Sequence, residues 1–249
     1  MTAPTAPRRV RLGVVTSTND EAKRLADAGA AEGTFVTAEI QTRGRGRRGA
    51  AWSSPAGNLH MSIILRPECP AARAGQVGFV AALALAATFD RVLPAKAAVR
   101  LKWPNDVLID GRKAAGILLE TSTVGSGAVA WLVVGIGVNV ASAPASAARP
   151  ATSLAAAGAS VSVDALADMV ARALLHGHER WRRVGFGPVR EAWLARAFGL
   201  GARADVNLDH ERFEAQFVGL DDSGALIAEL PGGARRAISA GEVFFRGAA

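Results

Sequence analysis

The apolar and polar residues of the first forty positions predict a strand, a helix and a second strand. Val10 to Val15 is a short apolar run that ends in Thr16-Ser17-Thr18-Asn19-Asp20, a cluster of residues that favour helix N-termini. Glu21 to Ala28 follows with helical character, and Gly33 to Ile40 has the pattern of a strand. This segment is therefore predicted to be a strand, a polar turn, a helix and a strand.

The middle of the chain predicts one long helix and a series of strands. Val77 to Leu93 has helical spacing and ends near Pro94, and Asp110-Gly111 is a tight turn between two apolar runs. The predicted strands are Leu59 to Leu65, Val99 to Leu101, Val107 to Ile109, Arg112 to Glu120 and Trp131 to Val140. Together they predict an antiparallel meander.

The last hundred residues change in composition near position 200. Ala141 to Ser160 is rich in small residues and is predicted to be a loop or linker, while Val163 to Trp181 and Val189 to Ala197 have helical spacing. Short strand-like runs then follow at Ala204 to Leu208, Arg212 to Leu220, Ala225 to Leu230 and Arg235 to Ile238. They predict a small β-barrel, with one domain at residues 1–200 and another at 201–249.

The composition is that of a folded protein with an excess of arginine. Hydrophobic residues make up 50% and charged residues 20%, and the formal net charge is +7. This charge favours anionic ligands, but it equally suits an arginine-biased composition with no special partner. The single cysteine, Cys69, excludes an internal disulfide, and no apolar stretch reaches the roughly 20 residues that span a bilayer. We therefore expect a cytoplasmic protein that does not contact membranes.

An arginine-glycine loop follows the second predicted strand. Arg43 to Gly49 contains four arginines and three glycines, and it has no core-forming pattern. Forked guanidinium donors suit carboxylates and phosphates, and glycines let the backbone approach a ligand closely. The loop is equally consistent with a solvated basic segment or a nucleic-acid-binding segment.

Two further segments carry candidate chemistry. Lys102-Trp103-Pro104-Asn105-Asp106 combines a cation, a large aromatic and a carboxylate, although an isolated copy is also typical of a turn that begins a hairpin. In Arg112 to Ile117, strict alternation places Lys113 on the same face as Ala115 and Ile117, which would point the lysine inward. Such a lysine either stabilises charge on a reacting group or extends to the solvated rim near the turn.

Glycines also occur inside a predicted strand. Gly135-Ile136-Gly137-Val138-Asn139 partly matches a dinucleotide-binding pattern, but no helix follows it. Glycines within a strand more often mark the close approach of a ligand or another backbone.

Taken in order, these segments resemble the biotin protein ligase family. The resemblance is carried by Ser17-Thr18-Asn19, Gln41 to Gly49, Trp52, Ser54-Pro55, Gly57-Asn58-Leu59, Lys102 to Asp106, Arg112-Lys113, Gly116 and Gly135 to Asn139. It covers roughly residues 10 to 200, and the remainder resembles the small SH3-like domain of that family.

The resemblance implies an α+β fold related to class II aminoacyl-tRNA synthetases, in which a mixed sheet with helices is followed by an SH3-like barrel. It implies a biotin–[biotin carboxyl-carrier protein] ligase, which converts biotin and MgATP to biotinyl-5′-AMP and pyrophosphate. The enzyme then transfers biotin to a lysine of the biotin carboxyl carrier domain of an acyl-CoA carboxylase. This chemistry needs positive charge and positioning more than a nucleophile.

Site residues follow from the same resemblance. Biotin would be held by Ser17, Thr18, Gln41, Gly44, Arg45 and Gly116. The catalytic residues would be Lys113 and Arg47, which would contact both biotin and the adenylate. The nucleotide would be held by Arg48, Trp52, Trp103, Asn105 and Asn139. Asp106 is the candidate magnesium ligand.

Two departures and two alternatives accompany this interpretation. Ala50 stands where many members carry an arginine, and no helix-turn-helix precedes Val10, so we expect no DNA binding. We expect a monomer or a weak homodimer. The alternatives are a lipoate protein ligase, which shares the fold and the adenylation step, and a nucleic-acid-binding module that uses the basic loop.

Overall fold

The computed structural model describes residues 6–123, 127–145 and 150–245, which form two β-sheets and five α-helices. Residues 146–149 of the predicted Ala141 to Ser160 loop lie outside the described residues. The helices are α1 (Thr18–Asp27), α2 (Ala71–Ala74), α3 (Val77–Val92), α4 (Val163–Val184) and α5 (Gly187–Leu194).

The larger sheet has seven strands and mixed pairing. Its strands are β1 (Arg8–Val15), β2 (Thr34–Gln41), β3 (Leu59–Leu65), β4 (Val99–Lys102), β5 (Asp106–Ile109), β6 (Arg112–Thr123) and β7 (Val129–Val138). Their spatial order is β1-β2-β3-β7-β6-β5-β4, and β1 pairs with β2 in parallel while the other neighbours are antiparallel. The mixed sheet predicted from the resemblance is confirmed.

Side chains of neighbouring residues in the central strands lie on opposite faces of this sheet. Ile63 and Val134 belong to the main core, to which α3 and α4 contribute. Ile64 and Val133 instead pack with Ala22 of α1 in a smaller cluster. The α1 face is therefore covered by one short helix, and part of it remains open for a cleft.

Two details of the predicted strands and helices were wrong. Helix α1 begins at Thr18, earlier than the predicted Glu21, because the Ser17 side chain accepts a hydrogen bond from the Asn19 backbone and caps the helix there. Strand β3 lies beside β7 and not beside β4, because α2 and α3 carry the chain across the sheet between them. The predicted meander is confirmed for β4 to β7.

One helical run, residues Ala71–Val92, is long and apolar enough to cross a bilayer, and 67% of its most apolar window is buried within the fold. The expectation that no such stretch exists was therefore wrong. The apolar character of the run is explained by its position, since α3 packs between the large sheet and α4.

The smaller sheet has five antiparallel strands. They are β8 (Arg203–Asn207), β9 (Arg212–Leu220), β10 (Leu226–Glu229), β11 (Arg235–Ile238) and β12 (Glu242–Phe245), in the order β11-β10-β9-β8-β12. The last strand was not predicted. It pairs with β8, and this pairing brings residues 241–244 to the edge of a cleft in the larger sheet.

The turn at Gly224 joins the two sheets. Its carbonyl accepts a hydrogen bond of 3.2 Å from the indole Nε1 of Trp103, and Trp103 is buried. Gly224 has a φ of +90°, and a Cβ at this position would lie 2.6 Å from Cε2 of Phe79. The contact therefore requires glycine for two reasons, the backbone conformation and the close approach of Phe79.

Replacement of Gly224 by alanine should separate these two requirements. We expect Gly224→Ala to lower the free energy of unfolding by about 3 kcal/mol, because it adds a steric clash to the cost of a left-handed alanine. Gly233→Ala is the matched control, since Gly233 has a φ of +88° and nothing within 4 Å of its Cβ position. The control should lose only about 1 kcal/mol. Equal losses in urea unfolding of the two variants would contradict the role of the Phe79 contact.

Candidate active site

A cleft of about 860 Å³ opens on the α1 face of the larger sheet. Its lining comes from the N-terminal turn of α1, the arginine-glycine loop, strands β6 and β7, the Trp103 to Asp106 turn and residues 241–244 of the smaller sheet. The three segments that carried candidate chemistry in the sequence are thus brought together in one cavity.

One wall of the cleft is a hydrogen-bonded network of buried and half-buried polar side chains. The backbone N–H and hydroxyl of Thr18 both donate to Oε1 of Gln41, at 2.8 and 3.0 Å. The Ser62 hydroxyl lies 2.8 Å from the Thr18 hydroxyl and 2.5 Å from Oδ1 of Asn19. Gln41 continues the network by donating to Ser54 at 2.9 Å. Such a network fixes the orientation of hydroxyl and amide groups at the wall.

The floor of the cleft depends on glycines in β6 and β7. A Cβ on Gly135 would lie 2.9 Å from Cγ of Asn19, and a Cβ on Gly137 would lie 2.6 Å from Cζ2 of Trp52. A Cβ on Gly116 would lie 3.1 Å from the same indole. The strand glycines are therefore sites of close approach, but the groups that approach them are the side chains of Asn19 and Trp52 and not, as predicted, a ligand or another backbone.

Lys113 lies in the cleft, but the strict alternation proposed for it was wrong. A β-bulge shifts the register between β5 and β6, so that Leu108 pairs with Lys113 whereas Val107 pairs with Ala115. Lys113 is therefore on the opposite face from Ala115, and its Nζ lies 3.5 Å from the Cβ position of Gly116. The bulge turns the lysine away from the main core and towards the cleft.

Lys113 is held between a carboxylate and an aromatic ring. Its Nζ is 2.5 Å from Oδ1 of Asp106, whose side chain is only 8% exposed. The same Nζ is 5.4 Å from the centre of the Trp52 ring. The ammonium group has three donors, so its pairing with Asp106 leaves donors that can bind an anionic ligand.

The arginine-glycine loop is folded against the wall. Gly44 is required at the start of the turn, because a Cβ there would lie 2.5 Å from Oγ of Ser54. The guanidinium of Arg45 makes a bidentate contact with Asp20, at 2.6 and 2.8 Å, and it lowers the pKa of that carboxyl to about 2. The positive charge of Arg45 is therefore paired before any ligand binds.

Arg47 and Arg48 point towards the smaller sheet. Burial lowers the pKa of Arg47, and repulsion from Arg48 acts in the same direction. Arg47 donates a long hydrogen bond of 3.4 Å to the carbonyl of Gly241. Arg48 has a φ of +53° and makes an ion pair of 2.9 Å with Asp209. Arg47 is thus a half-buried cation at the cleft, whereas Arg48 links the loop to the smaller sheet.

The residues predicted for the nucleotide have structural contacts of their own. Trp103 is bonded to Gly224, and the amide of Asn105 donates to the carbonyl of Ile117 at 2.8 Å. The amide of Asn139 donates to the carbonyl of Thr152 at 3.1 Å. All three residues line the cleft together with Trp52. Of the predicted site residues, Gly44 and Arg48 do not line the cavity, although both belong to the loop that does.

No group of three or more acidic, histidine or cysteine side chains that could hold a metal occurs within residues 6–123, 127–145 and 150–245. Asp106 is the carboxylate nearest to Lys113, with which it is paired. This donor set does not suit a resident divalent cation. It does suit magnesium that arrives on phosphate oxygens, which needs only one or two protein carboxylates.

Several residues of the site were not predicted. Asn19, Asp20, Ser62 and Glu120 belong to the wall or its supporting network. Ser62 carries a sequence signal, because it is a polar residue within an apolar strand. Glu120 carries a similar but weaker signal at the end of an apolar run. No sequence signal indicates that residues 241–244 line the cleft, because their position depends on the pairing of β12 with β8.

Residues 12–139 match the biotin/lipoate A/B protein ligase family, and residues 200–246 match the biotin protein ligase C-terminal domain. A biotin–[acetyl-CoA-carboxylase] ligase of Paracoccus denitrificans is 44% identical over 93% of this chain and 98% of its own. A bifunctional ligase/repressor of Bacillus subtilis is 35% identical over 91% of this chain and 71% of its own.

A solved structure shows the same fold. The biotin protein ligase of Aquifex aeolicus, in complex with biotin and ATP, has a TM-score of 0.79 and 27% identity, and the match covers 96% of this chain and 98% of that one. The α+β fold and the small C-terminal barrel are therefore confirmed. On these matches, the chain belongs to the biotin protein ligase family.

Proposed function

We propose that this protein activates biotin with ATP to biotinyl-5′-AMP and transfers biotin to a lysine of a biotin carboxyl carrier domain. The observation that carries the proposal is the meeting of two cations from distant segments, Arg47 and Lys113, in one cleft that has a polar wall and a glycine floor. The family membership and the relatives that bear this activity in their names support the same reaction.

The wall of hydrogen-bonding groups suits the neutral, polar head of biotin. We assign biotin binding to Ser17, Thr18, Gln41, Gly44, Arg45 and Gly116, as the family resemblance implies. Thr18 and Gln41 are already oriented by each other and by Ser62, so a ligand meets groups that need little reorganisation. The carboxylate of biotin would then extend along the glycine floor towards Lys113.

The opposite end of the cleft is assigned to the nucleotide. The residues proposed here are Arg48, Trp52, Trp103, Asn105 and Asn139. Trp103 and Asn105 fix the turn that carries Asp106, and Asn139 fixes the backbone beside Lys113. Magnesium enters as part of the MgATP substrate and supplies positive charge to the phosphates, with Asp106 as the candidate carboxylate. Asn105 and Asn139 would therefore act partly by holding the backbone of the nucleotide site and partly by direct contact with the nucleotide.

The reaction requires two substitutions and no nucleophile from the enzyme. A carboxylate oxygen of biotin attacks the α-phosphorus of ATP, and the bond to the bridging oxygen breaks as pyrophosphate leaves. The amine of the carrier lysine then attacks the acyl carbon of the adenylate, AMP leaves, and the amine loses a proton. Lys113 and Arg47 reduce the repulsion between the two anions of the first step.

We propose that the chain consists of two domains, a catalytic domain at residues 1–200 and an SH3-like domain at residues 201–249. The support for this division is the second family match, at residues 200–246, and the separate five-stranded sheet. The partner is proposed to be the carrier domain of an acyl-CoA carboxylase. The cytoplasmic location, the absence of DNA and membrane binding, and the monomeric or weakly dimeric state stay predictions.

Exchange of radiolabelled pyrophosphate into ATP tests the function directly. Exchange that depends on biotin is expected, whereas lipoate should not support it. Exchange with lipoate alone would favour the lipoate ligase alternative, which belongs to the same family match. The absence of exchange with either acid would refute the proposed function.

Arg47→Ala should lower kcat/KM for biotin-dependent exchange by about a hundredfold, because it removes a half-buried cation from the reacting groups. Arg43→Ala is the matched control, since Arg43 is an exposed arginine of the same loop and does not line the cleft. The control should retain its activity within about twofold. Equal effects of the two variants would show that the loop acts only through its total charge.

Gly137→Ala should displace the Trp52 indole from the floor of the cleft. We expect kcat/KM for exchange to fall by about tenfold, and trypsin to cleave the arginine-glycine loop about tenfold faster, because the loop loses the burial of Trp52. Gly13→Ala is the control, since Gly13 is also a strand glycine and nothing lies within 4 Å of its Cβ position. Normal cleavage of Gly137→Ala by trypsin would contradict the packing role of this glycine.

A further inference from the structure

Four charged side chains form a closed quartet beside the cleft. They are Asp20 and Lys23 of α1, Arg45 of the arginine-glycine loop and Glu120 of β6. Lys23 lies 2.9 Å from Asp20 and 2.8 Å from Glu120, and Arg45 lies 2.6 Å from Asp20 and 3.6 Å from Glu120. The two cations and two carboxylates cancel each other, so the quartet offers no net charge to a substrate.

The quartet is connected to the wall of the biotin pocket. Glu120 accepts a hydrogen bond of 2.6 Å from the Asn19 amide, and Asn19 accepts one from Ser62. From Ser62 the chain of polar contacts runs through Thr18 and Gln41 to Ser54. Ser54 then donates to the carbonyl of Trp52 at 3.2 Å.

This chain of contacts begins and ends on the same loop. The ion pair of Arg45 with Asp20 holds the first half of the arginine-glycine loop. The hydrogen bond from Ser54 to the carbonyl of Trp52 holds the segment that follows the loop. Between them lie Gly46 and Gly49, the second with a φ of +74°, and the 3₁₀ turn Arg47–Gly49 has no buried residue. The loop has little apolar burial of its own, so its conformation depends on these two attachments. They act together with the contacts of Arg47 and Arg48 to the smaller sheet and of Trp52 to the strand glycines.

We propose that Asp20, supported by Lys23 and Glu120, is a positioning residue that holds the arginine-glycine loop closed. The guanidinium of Arg45 then acts through Asp20, so the part of Arg45 that is assigned to biotin is its backbone and not its side chain. Both terminal nitrogens of Arg45 are occupied by the two oxygens of Asp20. Bidentate pairs of this kind fix geometry as well as charge. Closure in turn places Arg47 and Trp52 and retains the reactive adenylate.

This inference rests on the proposed function, and a double-mutant cycle tests it. The variants are Asp20→Asn, Arg45→Gln and the double variant, assayed with the full chain by biotin-dependent exchange. We expect each single variant to raise KM for biotin by about fivefold with little change in kcat, as for the loss of a partly exposed ion pair. The double variant should be no worse than the single ones, because both changes break the same contact.

Retention of the intermediate gives a second measurement. After mixing with biotin and ATP, Asp20→Asn should release biotinyl-5′-AMP into solution about fivefold faster than the wild-type protein. Glu21→Gln is the matched control, because it removes an acidic charge from the next residue, which pairs with Arg24 on the same helix. The control should behave like the wild-type protein in both assays.

The possible failures can be distinguished. Multiplicative effects, about 25-fold in the double variant, would show that Arg45 contacts the substrate independently of Asp20 and would overturn the proposal. Wild-type KM and adenylate retention in Asp20→Asn would also overturn it. Absence of exchange in the wild-type protein would instead refute the proposed function, on which the inference depends.

Discussion

The close approach of side chains to the backbone of β7 determines the shape of the cleft. On the other face of the same strand, Val134 and Ile136 fill the main core with ordinary apolar packing. On the cleft face, Gly135 and Gly137 have no side chains, so Asn19 and Trp52 lie directly against the strand. The alternation of a β-strand thus gives one face to stability and the other to a ligand cavity. The space that these two glycines leave positions Asn19 in the polar wall and Trp52 at the end of the arginine-glycine loop. Lys113 in turn lies beside the Trp52 ring.

Electrostatics divide the cations of the cleft into two kinds. Arg45 and Lys23 are balanced by Asp20 and Glu120, and the balance lowers the pKa of Asp20 to about 2. Arg47 is instead desolvated, and burial lowers its pKa. A half-buried cation of this kind is stabilised when anions enter the cleft, since they replace the interactions with water that it has lost. The loop therefore separates the charges that maintain its structure from the charge that meets the substrates.

Local patterns in the sequence predicted most of the strands and helices. Strands β3, β9 and β11 have the predicted bounds, and α3 differs by one residue at its end. The face of Lys113 was predicted wrongly because a β-bulge between paired strands leaves no mark in the alternation of a single strand. The family resemblance nevertheless named Lys113, Arg47 and Trp52 as site residues, and all three line the cleft.

The supporting network could not be predicted from the sequence, for a physical reason. Asn19 and Glu120 are 101 positions apart, and Thr18 and Ser62 are 44 apart. No local propensity relates such pairs, and they meet only because the sheet places β2, β3, β7 and β6 side by side. At the start of α1, Ser17 also has an ordinary local role, because its side chain caps the helix. Polar residues at the start of α1 therefore have two functions, and the second becomes visible only in the folded chain.

Contacts between the smaller sheet and the catalytic segments also help to shape the cleft. Arg48 forms an ion pair with Asp209. Arg47 and Trp103 donate hydrogen bonds to backbone carbonyls of the smaller sheet, at Gly241 and Gly224. The loop and the turn that carry the chemistry are thus both attached to the barrel. A barrel that only covered the core would need apolar contacts alone. The barrel also has polar contacts away from the cleft, from Asp222 to Gln76 and Arg190. Because its other polar contacts fall on the two segments that frame the reacting groups, the relative position of the two sheets is itself part of the geometry of the active site.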